Sequence, residues 1–227
     1  MILNPTKTAS IRQAFGDTLT QLAKSNRHLY VVSMDLKSSL HLTNFAKKYP
    51  RRFIECGIAE ANAAAIAAGL AKSGKTVFLC SFACFSPAIN WAVIRQSICY
   101  NHLDVKIVGS HAGLTTGELG ATHQMLEDVA LMTTLPNMEV FAPVDAIETQ
   151  KITTTLSRSR RPAYLRLVRP ATSLLFDPKN TFTIGKSHLL KSGRDITVIG
   201  YGPILEQAFM AQSQLSLQKP NISLEII

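Results

Sequence analysis

The chain has 227 residues, 46% hydrophobic and 17% charged, a globular composition long enough for one full domain and part of another. No apolar run approaches the ~20 residues of a membrane span, and the opening stretch MILNPTKTASIRQAF lacks the apolar core of a secretory signal, so no membrane partner is expected. The net charge of +9 is spread over Lys47-Lys48, Arg51-Arg52, Arg158, Arg160-Arg161, Lys186 and Lys191 without interleaved aromatics, which fits a solvated surface or the steering of acidic phosphates and argues against nucleic acid.

Residues 10–24 carry Ile11, Phe15, Leu19, Leu22 and Ala23 at helical spacing. Residues 28–34 (HLYVVSM) read as a strand ending at Asp35, and residues 53–58 as a short strand. An Ala-rich helix over 59–72 is closed by Ser73-Gly74. A strand over 75–81, a helix over 87–101 and a buried strand over 105–109 follow. Next come a glycine-rich loop, a helix over 125–134 ended by Leu135-Pro136, a strand over 138–142, a helix over 146–157 and a strand over 163–168. Strands alternating with helices predict an α/β fold, a parallel sheet with helices on both faces.

The run Phe176-Asp177-Pro178-Lys179-Asn180 has the composition of a linker. Beyond it, strands are expected over 184–191 and 195–200, a helix from Gly202-Pro203 to about 217, and a last strand over 222–227. One β-α-β unit cannot bury a core of its own. The expected division is therefore a domain over 1–176, then a linker and the truncated start of a second α/β domain over 177–227. The four cysteines, Cys56, Cys80, Cys84 and Cys99, form no dense framework. Buried reduced thiols and a cytoplasmic compartment are expected, and no zinc site.

The richest segment is S-H-A-G-L-T-T-G-E-L-G-A-T-H-Q, residues 110–124, in which His111 and His123 bracket three glycines. Such a loop at the carboxyl end of a strand can bring backbone and imidazoles close to a polar ligand. The histidines are either ordinary loop residues or hydrogen-bond donors and proton shuttles. Glu60 near a helix start is either a dipole-stabilising first-turn residue or a desolvated carboxyl able to share a proton with a ligand nitrogen. Phe82 and Phe85 follow a strand and are either core or a stacking platform for a flat heterocycle. Arg12 and Arg169 are either surface charges or phosphate forks.

Taken together, R-F-I-E-C-G-I-A-E-A-N, S-F-A-C-F, the glycine loop continuing T-H-Q-M-L-E-D-V-A-L-M, L-P-N-M-E-V-F-A-P-V-D and R-P-A-Y-L-R-L-V-R resemble, in order and spacing, the pyrimidine-binding domain of transketolase. The resemblance runs from about Ile11 to Pro170, and the remainder looks like the opening of the family's C-terminal domain. It implies a thiamine-diphosphate enzyme that moves a two-carbon ketol unit between sugar phosphates. Glu60 matches the glutamate that bonds the cofactor's aminopyrimidine. Phe82 matches the aromatic stacked on it, and Phe85 lines the same pocket. Asp35 and Ser39 match positions near the cofactor and the substrate phosphate. Arg12 and Arg169 match the substrate-phosphate arginines, and His111 and His123 the substrate histidines.

Two departures from the family carry information. The G-D-G…N motif that holds the diphosphate through a divalent metal (Mg or Ca) is absent, so no metal ligand falls on this chain. A split transketolase is implied, with an N-terminal subunit supplying that site and a homodimer of this chain inside a heterotetramer. Secondly, Leu119 stands where the family has an aspartate that reads donor-sugar hydroxyls. A buried hydroxyl left facing Leu119 would cost about 1–3 kcal/mol, which implies a different donor or reduced activity. The alternatives are the beta subunit of a 2-oxo-acid dehydrogenase, a deoxyxylulose-phosphate-synthase-like enzyme, and a non-catalytic transketolase paralogue acting as an assembly partner.

Overall fold

The computed structural model describes residues 7–227. Residues 1–6, part of the opening stretch read as lacking a signal, lie outside the described residues. A six-stranded parallel sheet forms the centre, in the order β3-β2-β4-β5-β7-β6. Its strands are β2 (Leu29–Ser33), β3 (Phe53–Glu55), β4 (Thr76–Phe82), β5 (Val105–Ser110), β6 (Glu139–Phe141) and β7 (Ala163–Arg166). The chain steps outward from β2 to β3, then returns to the other side of β2 for β4. That reversal is a switch point, and open α/β sheets bind ligands beyond the carboxyl ends of such strands.

Alternation along the strands feeds two apolar layers. Phe78, Cys80 and Phe82 join Ile11, Phe15 and Leu19 of α1 (Ile11–Leu22) and Ile152 and Leu156 of α6 (Ala146–Leu156). Val77 and Leu79 face Ala63, Ala64, Ala67, Ala68 and Ala71 of α3 (Glu60–Lys72). Small side chains on α3 let the helix lie close to the sheet. Ser10 caps α1, its hydroxyl accepting from the Gln13 amide at 3.2 Å. Asp145 caps α6 through the Glu148 amide at 2.9 Å, and its other oxygen accepts from the amides of Leu175 and Phe176, each at 2.7 Å.

Several expectations are corrected. The helix expected over 87–101 is α-helical only at α4 (Trp91–Val93), and Ile94–Cys99 is a π-helix. Packing Ile94, Ile98 and Cys99 into the layer beneath α3 overrides ideal helical geometry. The helix expected from 125 starts later, as α5 (Asp128–Thr133), because Met125 pairs with Ala112 to pin the glycine loop. No strand forms over 184–191, where only Lys191 bridges Ile226. A strand needs a partner along its length, and here only the segment's end reaches one. The sequence pattern gave no sign of α2 (Thr43–Lys48), nor of the antiparallel pair β1 (Thr8–Ser10) and β8 (Ala171–Ser173). Cys80 and Cys99 are buried, but Cys56 and Cys84 are only partly so; all four are free thiols.

After β8 the chain forms a parallel pair, β9 (Ile196–Val198) with β10 (Leu224–Ile226), joined through α7 (Leu205–Gln218). Leu205, Leu224 and Ile226 pack with Val144, Leu175 and Phe176. So this β-α-β unit completes its apolar cluster with residues that precede position 177.

At Gly109 a close approach excludes any side chain. A Cβ there would lie 2.2 Å from the Tyr164 hydroxyl. Tyr164 is fully buried and donates to Asp128 Oδ2 at 2.7 Å. Gly109→Ala is therefore expected to destabilise the chain by about 1–3 kcal/mol through overpacking, read as a lower urea midpoint. An unchanged midpoint would show that Tyr164 can move aside freely.

Candidate active site

Strand ends supply the site. β4 runs out at Phe82 and turns through Ala83–Phe85, where the Ala83 amide donates to Ser110 O at 2.7 Å. β5 runs out at Ser110, and His111 follows with φ at 55°, in the left-handed region that non-glycine residues seldom occupy. The loop beyond is held at its base by the Gly113 amide donating to Met125 O at 2.7 Å and the Ala112 amide to Leu167 O at 3.1 Å. Its centre, Leu114–Leu119, is a 3-10 segment with a kink at Gly117.

Four rings converge there. Phe82 and Phe85 stack with centroids 6.0 Å apart and planes 15° apart. His111 lies against Phe82 at 3.9 Å, and His123 meets Phe85 edge-on at 5.4 Å. His111 is 4% exposed, and its Nδ1 shares a hydrogen bond with the Ser110 hydroxyl at 2.8 Å. Burial, reinforced by the charges of Arg12, Arg169 and His123, pushes its pKa down to about 3. The ring is therefore neutral near pH 7, with one nitrogen able to donate a hydrogen bond and the other to accept one. Thr116 is buried and donates to His111 O, which braces the unusual backbone.

The two arginines are neighbours. Arg12 donates to Ser39 O at 2.5 Å and to Arg169 O at 2.9 Å, while its Nε is buried with no partner among the described residues. Burial and the adjacent Arg169 charge lower the pKa of Arg12. Arg169 donates to Thr116 O at 2.9 Å and pairs with Glu118 at 2.5 Å. Two guanidiniums side by side with a single carboxylate make a place that favours an anion.

Glu60 opens α3 behind Ala59, which provides no side-chain cap. Its carbonyl oxygen accepts from the buried Asn90 at 3.0 Å, and its charge acts on Cys84, next to Phe85. The structure thus gathers Arg12, Phe82, Phe85, His111, His123 and Arg169, with Glu60 tied through its carbonyl to Asn90 and near enough for its charge to act on Cys84. Ser39 joins them through its main-chain oxygen. Asp35 stands apart: it is exposed, has φ at 59°, and its amide donates to Glu55 at 2.7 Å. Among the described residues no three His, Cys, Asp or Glu side chains cluster to hold a metal.

Sequence reading did not single out Ser110, Thr116, Asn90 or Glu118. Ser110 and Thr116 sit inside the glycine motif and could have been flagged there. Asn90 and Glu118 act across 30 and 51 positions, which no local pattern encodes.

A parallel α/β sheet with a polar, aromatic-walled site at its carboxyl edge is the architecture of a ligand-binding enzyme domain. The profile of the transketolase pyrimidine-binding domain matches residues 7–173. The chain belongs to that family. It is 41% identical to a Methanocaldococcus jannaschii protein provisionally described as a transketolase C-terminal section, over 96% of this chain and 69% of that one. It is 37% identical to one of the subunits of the apulose-4-phosphate transketolase of Phocaeicola vulgatus, over 95% and 69% of the two chains. Among solved structures it superimposes on a split-gene transketolase, an inactive beta4 tetramer, with TM-score 0.86 at 37% identity, covering 97% of this chain and 71% of that one. No described helix is long and apolar enough to cross a membrane.

Proposed function

We propose that this chain is the C-terminal subunit of a thiamine-diphosphate-dependent transketolase, moving a two-carbon ketol unit between sugar phosphates together with an N-terminal partner subunit. The observation that carries the reading is the meeting, at one sheet edge of a transketolase-family domain, of the Phe82–Phe85 pair, neutral His111, His123 and the Arg12–Arg169 pair, flanked by Glu60. The names of two relatives, a transketolase C-terminal section and a transketolase subunit, support it. The divalent metal that holds the diphosphate is assigned to the partner. We take the working assembly to be a heterotetramer built on a homodimer of this chain, in the cytoplasm, with residues 177–227 opening a second domain.

The residues present fit the aminopyrimidine end of the cofactor. Phe82 and Phe85 offer a flat apolar wall, and Glu60 offers a carboxyl oxygen to hold a proton at a ring nitrogen. When bound, thiamine diphosphate supplies an electron sink for cleaving a carbon–carbon bond beside a carbonyl. His111 and His123 would then hold and move protons at substrate hydroxyl and carbonyl oxygens, and Arg12 and Arg169 would orient the phosphate end. Buried His111 and the surrounding rings keep water from that face.

One test is direct. The isolated chain is expected to bind thiamine diphosphate no better than weakly by titration calorimetry, with ketol transfer appearing only on co-expression with the N-terminal subunit. Tight binding to the chain alone would overturn the divided site. A second reading, a non-catalytic paralogue that assembles with a partner, rests on Leu119, which is 39% exposed in the site loop and has no hydrogen-bonding group. Absence of turnover by the assembled pair would favour it.

A further inference from the structure

We infer that Glu118 is a resident anion that sets the affinity of the Arg12–Arg169 pair for the phosphate end of a sugar substrate. The inference rests on the reading of Arg169 as a substrate-phosphate residue. The two guanidiniums are held mainly by main-chain carbonyls, Ser39 O and Arg169 O for Arg12 and Thr116 O for Arg169. Among their described contacts the only ionised group is Glu118, whose Oε1 accepts from Arg169 Nη2 at 2.5 Å. A phosphate bound by the Arg169 fork needs that same Nη2. Carboxylate and phosphate therefore compete for that nitrogen, and their like charges repel one another.

The carboxylate is suited to yield. The Glu118 side chain is 77% exposed, so its pairing with Arg169 is screened by water and salt. Glu118 and Leu119 form a two-residue tip between Gly117 and Gly120, both at positive φ (71° and 74°). The base of the loop stays fixed by buried Thr116 and by the Gly113–Met125 bond. The tip is closed by the Gly120 amide donating to Gly117 O at 3.0 Å, so the exposed Glu118 side chain can turn away by rotation about its own bonds while His111 keeps its place.

Competition of this kind weakens every anionic substrate end by one common factor, the reciprocal of the open fraction of the ion pair, and leaves neutral sugars untouched. For an exposed pair that factor is about twofold to fivefold. The experiment uses the chain assembled with its N-terminal subunit and compares wild type with Glu118→Gln, Glu118→Ala and Arg169→Gln. Inorganic phosphate serves as a competitive inhibitor, and a phosphorylated and an unphosphorylated ketose as donors. Both Glu118 variants are expected to strengthen phosphate inhibition and lower KM for the phosphorylated ketose by about twofold to fivefold, with KM for the unphosphorylated one unmoved. Unchanged inhibition in both, alongside weakened inhibition in Arg169→Gln, would overturn the role of Glu118 alone. An equal fall in both KM values would also overturn it, as an effect of the loop and not of charge. Unchanged inhibition in Arg169→Gln would instead bring down the underlying reading of the arginine.

Discussion

Glu60→Gln in the assembled enzyme is expected to lower ketol transfer by about 100- to 10,000-fold, the range over which a positioned proton-transfer group acts. Gln has the shape of Glu and keeps its hydrogen-bonding reach, but it cannot exchange a proton. The fold should tolerate the change. Glu60 is only half buried, and its tether to Asn90 runs through the main-chain oxygen, which the substitution leaves alone. The α3 face that packs on the sheet is made by Ala63, Ala64 and Ala67. Steady-state kinetics under saturating thiamine diphosphate, with circular dichroism as the folding control, reads the effect. Turnover within a few-fold of wild type would remove Glu60 from proton transfer and leave the non-catalytic reading in front.

The second large effect concerns stability at the opposite end of the sheet. Lys106 is 0% exposed on β5 and donates to Asp104 Oδ1 at 2.7 Å, to Ser159 O at 3.1 Å and to Arg161 O at 2.5 Å. Asp104 also accepts from the Thr76 hydroxyl at 2.7 Å. The ammonium has no spare donor and no water to fall back on. Asp104→Ala leaves it buried with no carboxylate in contact, only the more distant charge of Glu139 acting on it, and is expected to destabilise the chain by about 3–5 kcal/mol. Burial already lowers the pKa of Lys106, with Asp104 opposing it, so the variant lowers it further. Between that depressed value and the unfolded value near 10.5 the unfolded chain binds more protons. Stability of the variant should therefore rise as pH increases through this window. Adding Lys106→Met should recover much of the loss, because removing both charges avoids an unpaired one. Urea denaturation of the single and double variants over a pH series checks all three statements. A loss below about 1 kcal/mol, the scale of a solvated pair, would mean that water reaches the Lys106 ammonium.

The order and type of most sheet strands were legible from residue pattern, as with the apolar runs that became β2, β4 and β5. Buried parallel strands are continuous apolar runs, and caps and stops such as Ser10 and Ser73-Gly74 are local chemistry. Legibility failed where a distant partner decided the outcome. Residues 184–191 have strand-like composition but form a strand bridge only at Lys191. Residues 87–101 carry helical spacing but yield to the space beneath α3. The β1–β8 pair joins segments far apart in the chain, Thr8 with Ser173, and three-residue strands leave no periodic signature.

The sequence by itself determined the candidate residues and their order, Arg12, Glu60, Phe82, Phe85, His111, His123 and Arg169, each on or beside a motif that local physics or family likeness singles out. Only the tertiary structure decided how they act on one another. It set His111 in a buried place against Phe82, which empties its ring of charge. It laid Arg12 across the main chain of Arg169 and gave Arg169 the carboxylate of Glu118. Burial and through-space charge depend on which strand ends lie side by side, and in a sheet ordered β3-β2-β4-β5-β7-β6 that adjacency is not the order of the chain.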